Sequence, residues 1–183
     1  GFASNAASTI TTADNTDTLS LISTDADASS GPNLNMFRNS ASPADSDELG
    51  NIAFNGRNDN SQTVKYAEIE AYALDVSDGT EDSVLNFNVI QAGAAVSFFK
   101  GNNTEVVVND DSKDLDFRVE SNGNANMLFV DGGNDRVGIG ISNPSDYYSN
   151  NLVVGAGSEG GITIASSATT YNNYLAFGDS SSG

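Results

Sequence analysis

The chain has 183 residues, with 25 acidic and 7 basic side chains, a formal net charge of −18, and neither His nor Cys. Phosphates are bound by clustered cations, and the basic residues here are scattered, so nucleic acid and anionic membrane surfaces are not expected as partners. The lack of His and Cys removes disulfides, thiolate metal sites, the commonest zinc ligand and the usual catalytic triads.

Gly, Ser and Asn together supply 65 residues, while Leu, Ile, Val and Phe supply 41, about 22% of the chain. That lies just above the level at which highly charged chains stay disordered. A lone copy would have a thin core, and association with other copies is a way to hide more apolar surface. No run of about 20 apolar residues is present, so membrane insertion by a helix is not expected.

Residues 1–17, rich in Ala, Ser, Thr and Asn without a clear period, read as a linker or extended arm. Beyond them short segments alternate apolar and polar residues and are broken by Gly, Asn, Asp, Ser or Pro. Leu19 and Leu21 open the series, followed by Leu34 and Met36, then Ile52 and Phe54. The segment Val64–Val76 fits either a helical or a strand period. As a strand it puts Ala67, Ile69, Ala71 and Ala73 on one face and Val64, Tyr66, Glu68, Glu70 and Tyr72 on the other, and its strand-like neighbours favour this reading. Next come Leu85, Phe87 and Val89, then Val96 and Phe98, Val106 and Val108, and Leu115, Phe117 and Val119. Asp131–Asp135 is predicted to turn, because its Gly and Asn residues reach positive φ cheaply. Val137, Ile139 and Ile141 alternate with Gly138 and Gly140, leaving a bare strand face suited to close approach of another backbone, as around a shared axis. Leu152 with Val154, Ile162 with Ile164, and Leu175 with Phe177 complete the list.

The pattern predicts an all-β protein of four parts. These are the arm at 1–17, a first β-domain at 18–110, a glycine-rich β-element at 111–150, and the start of a further β-module at 151–183. Residues 152–179 weakly repeat the order of 19–56. On that reading the native polypeptide extends past Gly183, and Gly1 is a cut point joined to an upstream part.

Several blocks resemble tail-fibre and tailspike-like proteins of marine tailed bacteriophages. They are Asp17–Ser23 (DTLSLIS), Phe37–Ala44 (FRNSASPA), Leu49–Asn58 (LGNIAFNGRN), Leu115–Asn122 (LDFRVESN) and Leu128–Pro144 (LFVDGGNDRVGIGISNP), the last with Ile141 where the family usually has Thr. The resemblance spans most of residues 17–183. It implies short-stranded β-sandwich or β-prism-like modules in an elongated, intertwined homotrimeric fibre. It also implies an extracellular place in the virion tail, contacts with other tail proteins, and attachment to a host-surface glycan or outer-membrane receptor. Readings of other classes are a spike that depolymerises surface glycan, a capsid fibre, and a bacterial surface adhesin.

No cofactor, metal or catalytic residue is assigned, and the chain is expected not to be an enzyme. Asp25–Gly31 begins like an EF-hand loop, but Gly31 falls one place late and no Glu occupies the twelfth position. Gly132–Asp135 is similar to one calcium-binding nonapeptide repeat, but stands alone. Asp110, Asp111, Asp114 and Asp116 read as a solvated loop and strand face. Glu68 and Glu70 share a strand face at a spacing that glycoside hydrolysis can use, although a surface or interface role is favoured for them. Gly138–Gly140 is too short for a dinucleotide fingerprint. Tyr147 with Tyr148, and Tyr171 with Tyr174, lie in Asn/Ser-rich segments and are the candidate glycan-contact aromatics, with packing of turns as the alternative.

Overall fold

A computed structural model of the full chain describes residues 6–148, 151–155 and 162. The protein is all-β, with no α-helix among the described residues and two sheets. It divides into two compact units at Ser42/Pro43.

The first unit has no strand among its described residues. The expected strands at Leu19–Leu21 and Leu34–Met36 are therefore not formed. Those apolar side chains stand exposed (Leu19 63%, Phe37 75%). Side chains instead hold local turns, with the Thr16 amide donating to Asp14 Oδ1 at 3.0 Å and the Ser29 amide to Asp27 Oδ1 at 2.7 Å. Asp and Ser oxygens that capture nearby amides in this way compete with ladder formation.

The second unit holds both sheets. The first is an antiparallel meander of β1 (Asp47–Arg57), β2 (Thr63–Asp75), β3 (Asp82–Gln91), β4 (Ala94–Asn102) and β5 (Val106–Val108), paired in chain order. Its turns follow their residues. Ala92 and Gly93 both have positive φ, 49° and 84°, as a two-residue hairpin between twisted strands requires. Asn58 Oδ1 accepts the amides of Asn60 and Gln62, and Asn102 Oδ1 those of Thr104 and Glu105.

Paired residues of an antiparallel ladder share a face. Three apolar rows cross one face of the meander: Ile52–Ile69–Phe87–Phe99–Val108, Phe54–Ala67–Val89–Val96 and Gly50–Ala71–Leu85–Gly101–Val106. The other face carries Ala53–Glu68–Asn88–Ser97, Asn51–Glu70–Asn86–Lys100–Val107 and Glu48–Tyr72–Val84–Asn102. The strand reading of Val64–Val76 thus holds, and so do its predicted faces from Ala67 to Ala73. A bulge between Phe54 and Asn55 corrects the faces before Ala67: Asn55 pairs with Lys65, so Lys65 rather than Val64 joins the acidic face. A second bulge, between Phe87 and Asn88, lets both Phe98 and Phe99 meet Phe87 edge-on, with ring centroids 6.2 and 5.6 Å away.

The second sheet runs β6 (Phe117–Val119), β7 (Leu128–Asp131), β8 (Arg136–Ile139) and β9 (Leu152–Val154), the last pair parallel. The turn predicted at Asp131–Asp135 joins β7 to β8, with Asp131 Oδ1 accepting the Asn134 amide at 3.0 Å. Gly138 in β8 and Gly140 just beyond it do permit a close approach, but the chain's own atoms make it. A Cβ at Gly138 would lie 2.7 Å from the Ile141 carbonyl oxygen and 3.2 Å from Pro144 Cγ, and one at Gly140 (φ 74°) 2.3 Å from the Gly155 carbonyl oxygen. The strand also stops at Ile139, short of Ile141. The expectation that this strand lines an axis between chains is corrected accordingly.

The core is thin, as the composition implies. Among the described residues only Val84, Val96 and Val153 are buried apolar side chains of the strands, together with Pro144 in the single 3-10 turn, Pro144–Asp146. Elements in substantial contact are neighbours within one sheet, or β8 with that turn. No helix among the described residues is long and apolar enough to cross a membrane.

Candidate functional site

The best-organised polar cluster lies on the acidic face of β2 and β3. Alternation projects Glu68, Glu70 and Tyr72 to one side of β2, and the ladder sets Asn88, Asn86 and Val84 directly opposite them. Glu70 is the hub. Its Oε1 accepts from Asn88 Nδ2 at 2.7 Å and from Asn86 Nδ2 at 3.4 Å, and its Oε2 accepts the Tyr72 hydroxyl at 3.0 Å. Glu68, the only buried charged side chain among the described residues, is paired with Lys65. That hydrogen bond raises the Lys65 pKa above its ordinary value. Burial, then the bond to Glu70, pushes the Tyr72 hydroxyl up to about 12. Asn86 Oδ1 and Ser97 Oγ are buried on the same face without a hydrogen-bond partner.

Beside Glu68 the surface dips into an open pocket of about 200 Å³, lined by Lys65, Tyr66, Ala67, Glu68, Asn88, Val89 and Ala95. Carboxylate, amide and ammonium groups at its rim are chemistry that hydrogen-bonds a polyhydroxylated ligand. Glycoside hydrolysis asks more, since two carboxyls must flank one bond in a cleft. Here Glu68 is engaged by Lys65 and Glu70 by three donors.

The tyrosines form a separate surface. Tyr147 and Tyr148 follow the 3-10 turn, and Tyr148 projects fully into solvent while Tyr147 is 45% exposed. The turn is tied by Asn143 Nδ2 to Asp146 Oδ1 at 2.7 Å and by Arg136 to Ser145. Tyr171 and Tyr174 lie outside the described residues. The acidic cluster of the sequence is dispersed into structural bonds. Asp110 pairs with Lys100 at 2.9 Å, Asp111 accepts the Ser97 amide at 2.7 Å, and Asp116 accepts the Gly132 amide at 3.1 Å. Among the described residues no three acidic side chains converge as a metal site needs.

Sequence reasoning put Glu68, Glu70 and Tyr72 on one strand face but missed Lys65, Asn86, Asn88 and Ser97 as their company. Aligning the alternation of β3 with that of β2 would have set the two asparagines opposite the two glutamates. Compared with family models, curated proteins and solved structures, the chain matches none.

Proposed function

We propose that this chain is a structural protein of a bacteriophage virion, a segment of a tail fibre or tailspike used in host attachment. In this reading it is a homotrimer of β-prism-like modules in an elongated, intertwined fibre outside the cell. It meets other tail proteins along the fibre and a host-surface glycan or outer-membrane receptor at its exposed loops. The observation that carries the reading is the first sheet, a single layer whose apolar rows, apart from the buried Val96, keep large side chains exposed, while Glu68 and Glu70 on its other face are held by neighbouring side chains. Phe54 is 55% exposed, whereas Glu68 is buried. A sheet of that kind is half of a core and needs a partner to complete it. The Leu49–Asn58 and Leu128–Pro144 blocks, which resemble the phage proteins, contribute β1, β7 and β8.

The depolymerase reading is weaker, because each candidate carboxylate is already engaged by neighbouring side chains. Gold-labelled antibody against the chain, imaged on purified particles, tests the proposal. Label along the tail fibres is the expected result. Label confined to the head, or to host cells free of phage, would overturn it.

A further inference from the structure

We infer that Asn122–Gly123, in the turn between β6 and β7, is a site of spontaneous covalent modification, at which the backbone closes to a cyclic imide and reopens as aspartate or isoaspartate.

That chemistry needs an Asn or Asp side chain followed by an amide nitrogen free to attack it. Glycine serves best in the second place, because it has no Cβ to block the approach and the least restricted backbone. The chain has four such pairs: Asn55–Gly56, Asp78–Gly79, Asn122–Gly123 and Asp131–Gly132. Three of them are held. Asn55, Gly56 and Arg57 are paired in register with Lys65, Val64 and Thr63 of β2, and a Cβ at Gly56 would lie 3.0 Å from the Tyr66 ring. The Gly79 amide donates to Glu81 Oε2 at 3.1 Å, and the Gly132 amide to Asp116 Oδ1 at 3.1 Å. An amide that is donating, or is fixed in a ladder, must be released before it can turn onto a side chain.

Asn122–Gly123 has none of these restraints. Both residues are exposed, and a Cβ built on Gly123 meets nothing within 4 Å. Neither the Gly123 amide nor the Asn122 side chain makes a hydrogen bond among the described residues. The turn is closed around them instead, the Ser121 amide donating to the Asn124 carbonyl at 2.8 Å and the Asn124 amide to Ser121 Oγ at 3.1 Å.

The Gly123 nitrogen gives up its proton to water and bonds to Asn122 Cγ, and the side-chain nitrogen leaves as ammonia. Water then breaks one of the two C–N bonds of the ring. Cleavage at Cγ gives aspartate, and cleavage at the backbone carbonyl carbon gives isoaspartate, with the chain now running through the side chain. Either product adds a negative charge two residues from Glu120, which pairs with Arg118 at 2.6 Å. Isoaspartate also lengthens by one carbon a turn that helps hold the second sheet, since the Asn126 carbonyl accepts the Gly140 amide at 2.8 Å.

The test ages the full chain in mildly alkaline buffer, folded and in urea, and follows Asn55 and Asn122 by peptide mass mapping. Fragmentation locates each converted residue, and labelling with isoaspartyl methyltransferase measures isoaspartate. In the folded chain Asn122 is expected to convert at least about tenfold faster than Asn55, with isoaspartate among the products, and in urea the two rates converge. Gly123→Ala, whose new methyl has room, is expected to stay folded by circular dichroism and to convert more slowly. Equal rates at the two pairs in the folded chain would overturn the inference, as would an Asn122 that converts in urea alone. Aspartate without isoaspartate would overturn the ring route, and so would a Gly123→Ala chain that converts as fast as the wild type.

Discussion

Replacing Gly138 with Ala tests how the second sheet is held together. The new Cβ would lie 2.7 Å from the Ile141 carbonyl oxygen, 2.9 Å from Ile141 Cγ2 and 3.2 Å from Pro144 Cγ. The Ile141 methyl can swing away, but the carbonyl belongs to the backbone and Pro144 is fully buried. Relief therefore requires β8 to move, and β8 is tied to β9 by the Gly138–Val153 pairing, with Val153 only 6% exposed. Overpacking of this kind costs about 1–3 kcal/mol, and a rigid obstacle on two sides places this case near about 2 kcal/mol. For a chain of this length that lowers Tm by about 4–8 °C. Urea unfolding followed by circular dichroism measures it, with Gly123→Ala as the control, because a Cβ there meets nothing within 4 Å. Adding Ile141→Ala to Gly138→Ala is expected to restore only part of the loss, since the carbonyl remains. A Gly138→Ala midpoint matching that of Gly123→Ala would refute the argument.

Glu70→Ala strips the acceptor from Asn88 Nδ2 and the Tyr72 hydroxyl and is expected to cost about 1–3 kcal/mol, with Glu70→Gln milder because one acceptor oxygen survives. Equal stability of Glu70→Ala and wild type in urea would contradict the hub role. The Tyr72 pKa is raised from an ordinary 10.0 to about 12, so its neutral hydroxyl contributes fully below about pH 10 and that contribution is lost as pH climbs through about 12. Phenolate absorbance should show a last ionisation step that Tyr72→Phe lacks, and superimposable titrations would disprove the assignment. Tyr148→Ala is expected to leave stability within about 0.5 kcal/mol, the side chain being fully exposed, and to weaken binding on an array of host-surface glycans. Equal binding of variant and wild type would remove Tyr148 from the contact surface.

Alternation in the sequence made much of the fold legible where a partner strand lies close in the chain. Ala67–Ala73 and Leu85–Val89 face as their periods say, because the short turns between β2 and β3 and between β3 and β4 bring complementary strands together. Leu19–Leu21 and Leu34–Met36 carry the same alternation and form no strand. A period describes where side chains point, whereas a strand also needs a second backbone to pair with. The polar cluster was only half visible, since Asn86 and Asn88 reach Glu70 from 16 and 18 residues away through the ladder register. The bulge at Phe54/Asn55, which brings Lys65 rather than Val64 onto the acidic face, is not revealed by local patterning. Gly138 and Gly140 are sites of close approach, but nothing in their spacing told that the chain's own Pro144 and Gly155 would be the neighbours.

The parallel pairing of β8 with β9 has a consequence for the order of assembly. From β1 to β5 each strand can zip onto the one before it through a short turn, so the meander grows by local closures. β9 has no such route. It returns beside β8 only after the connection 140–151 has closed, with Pro144 seated over Gly138. That closure entropy is spent before Val153 gains its burial. Within the second sheet β9 is therefore the strand whose pairing waits on a longer connection rather than on a neighbouring turn.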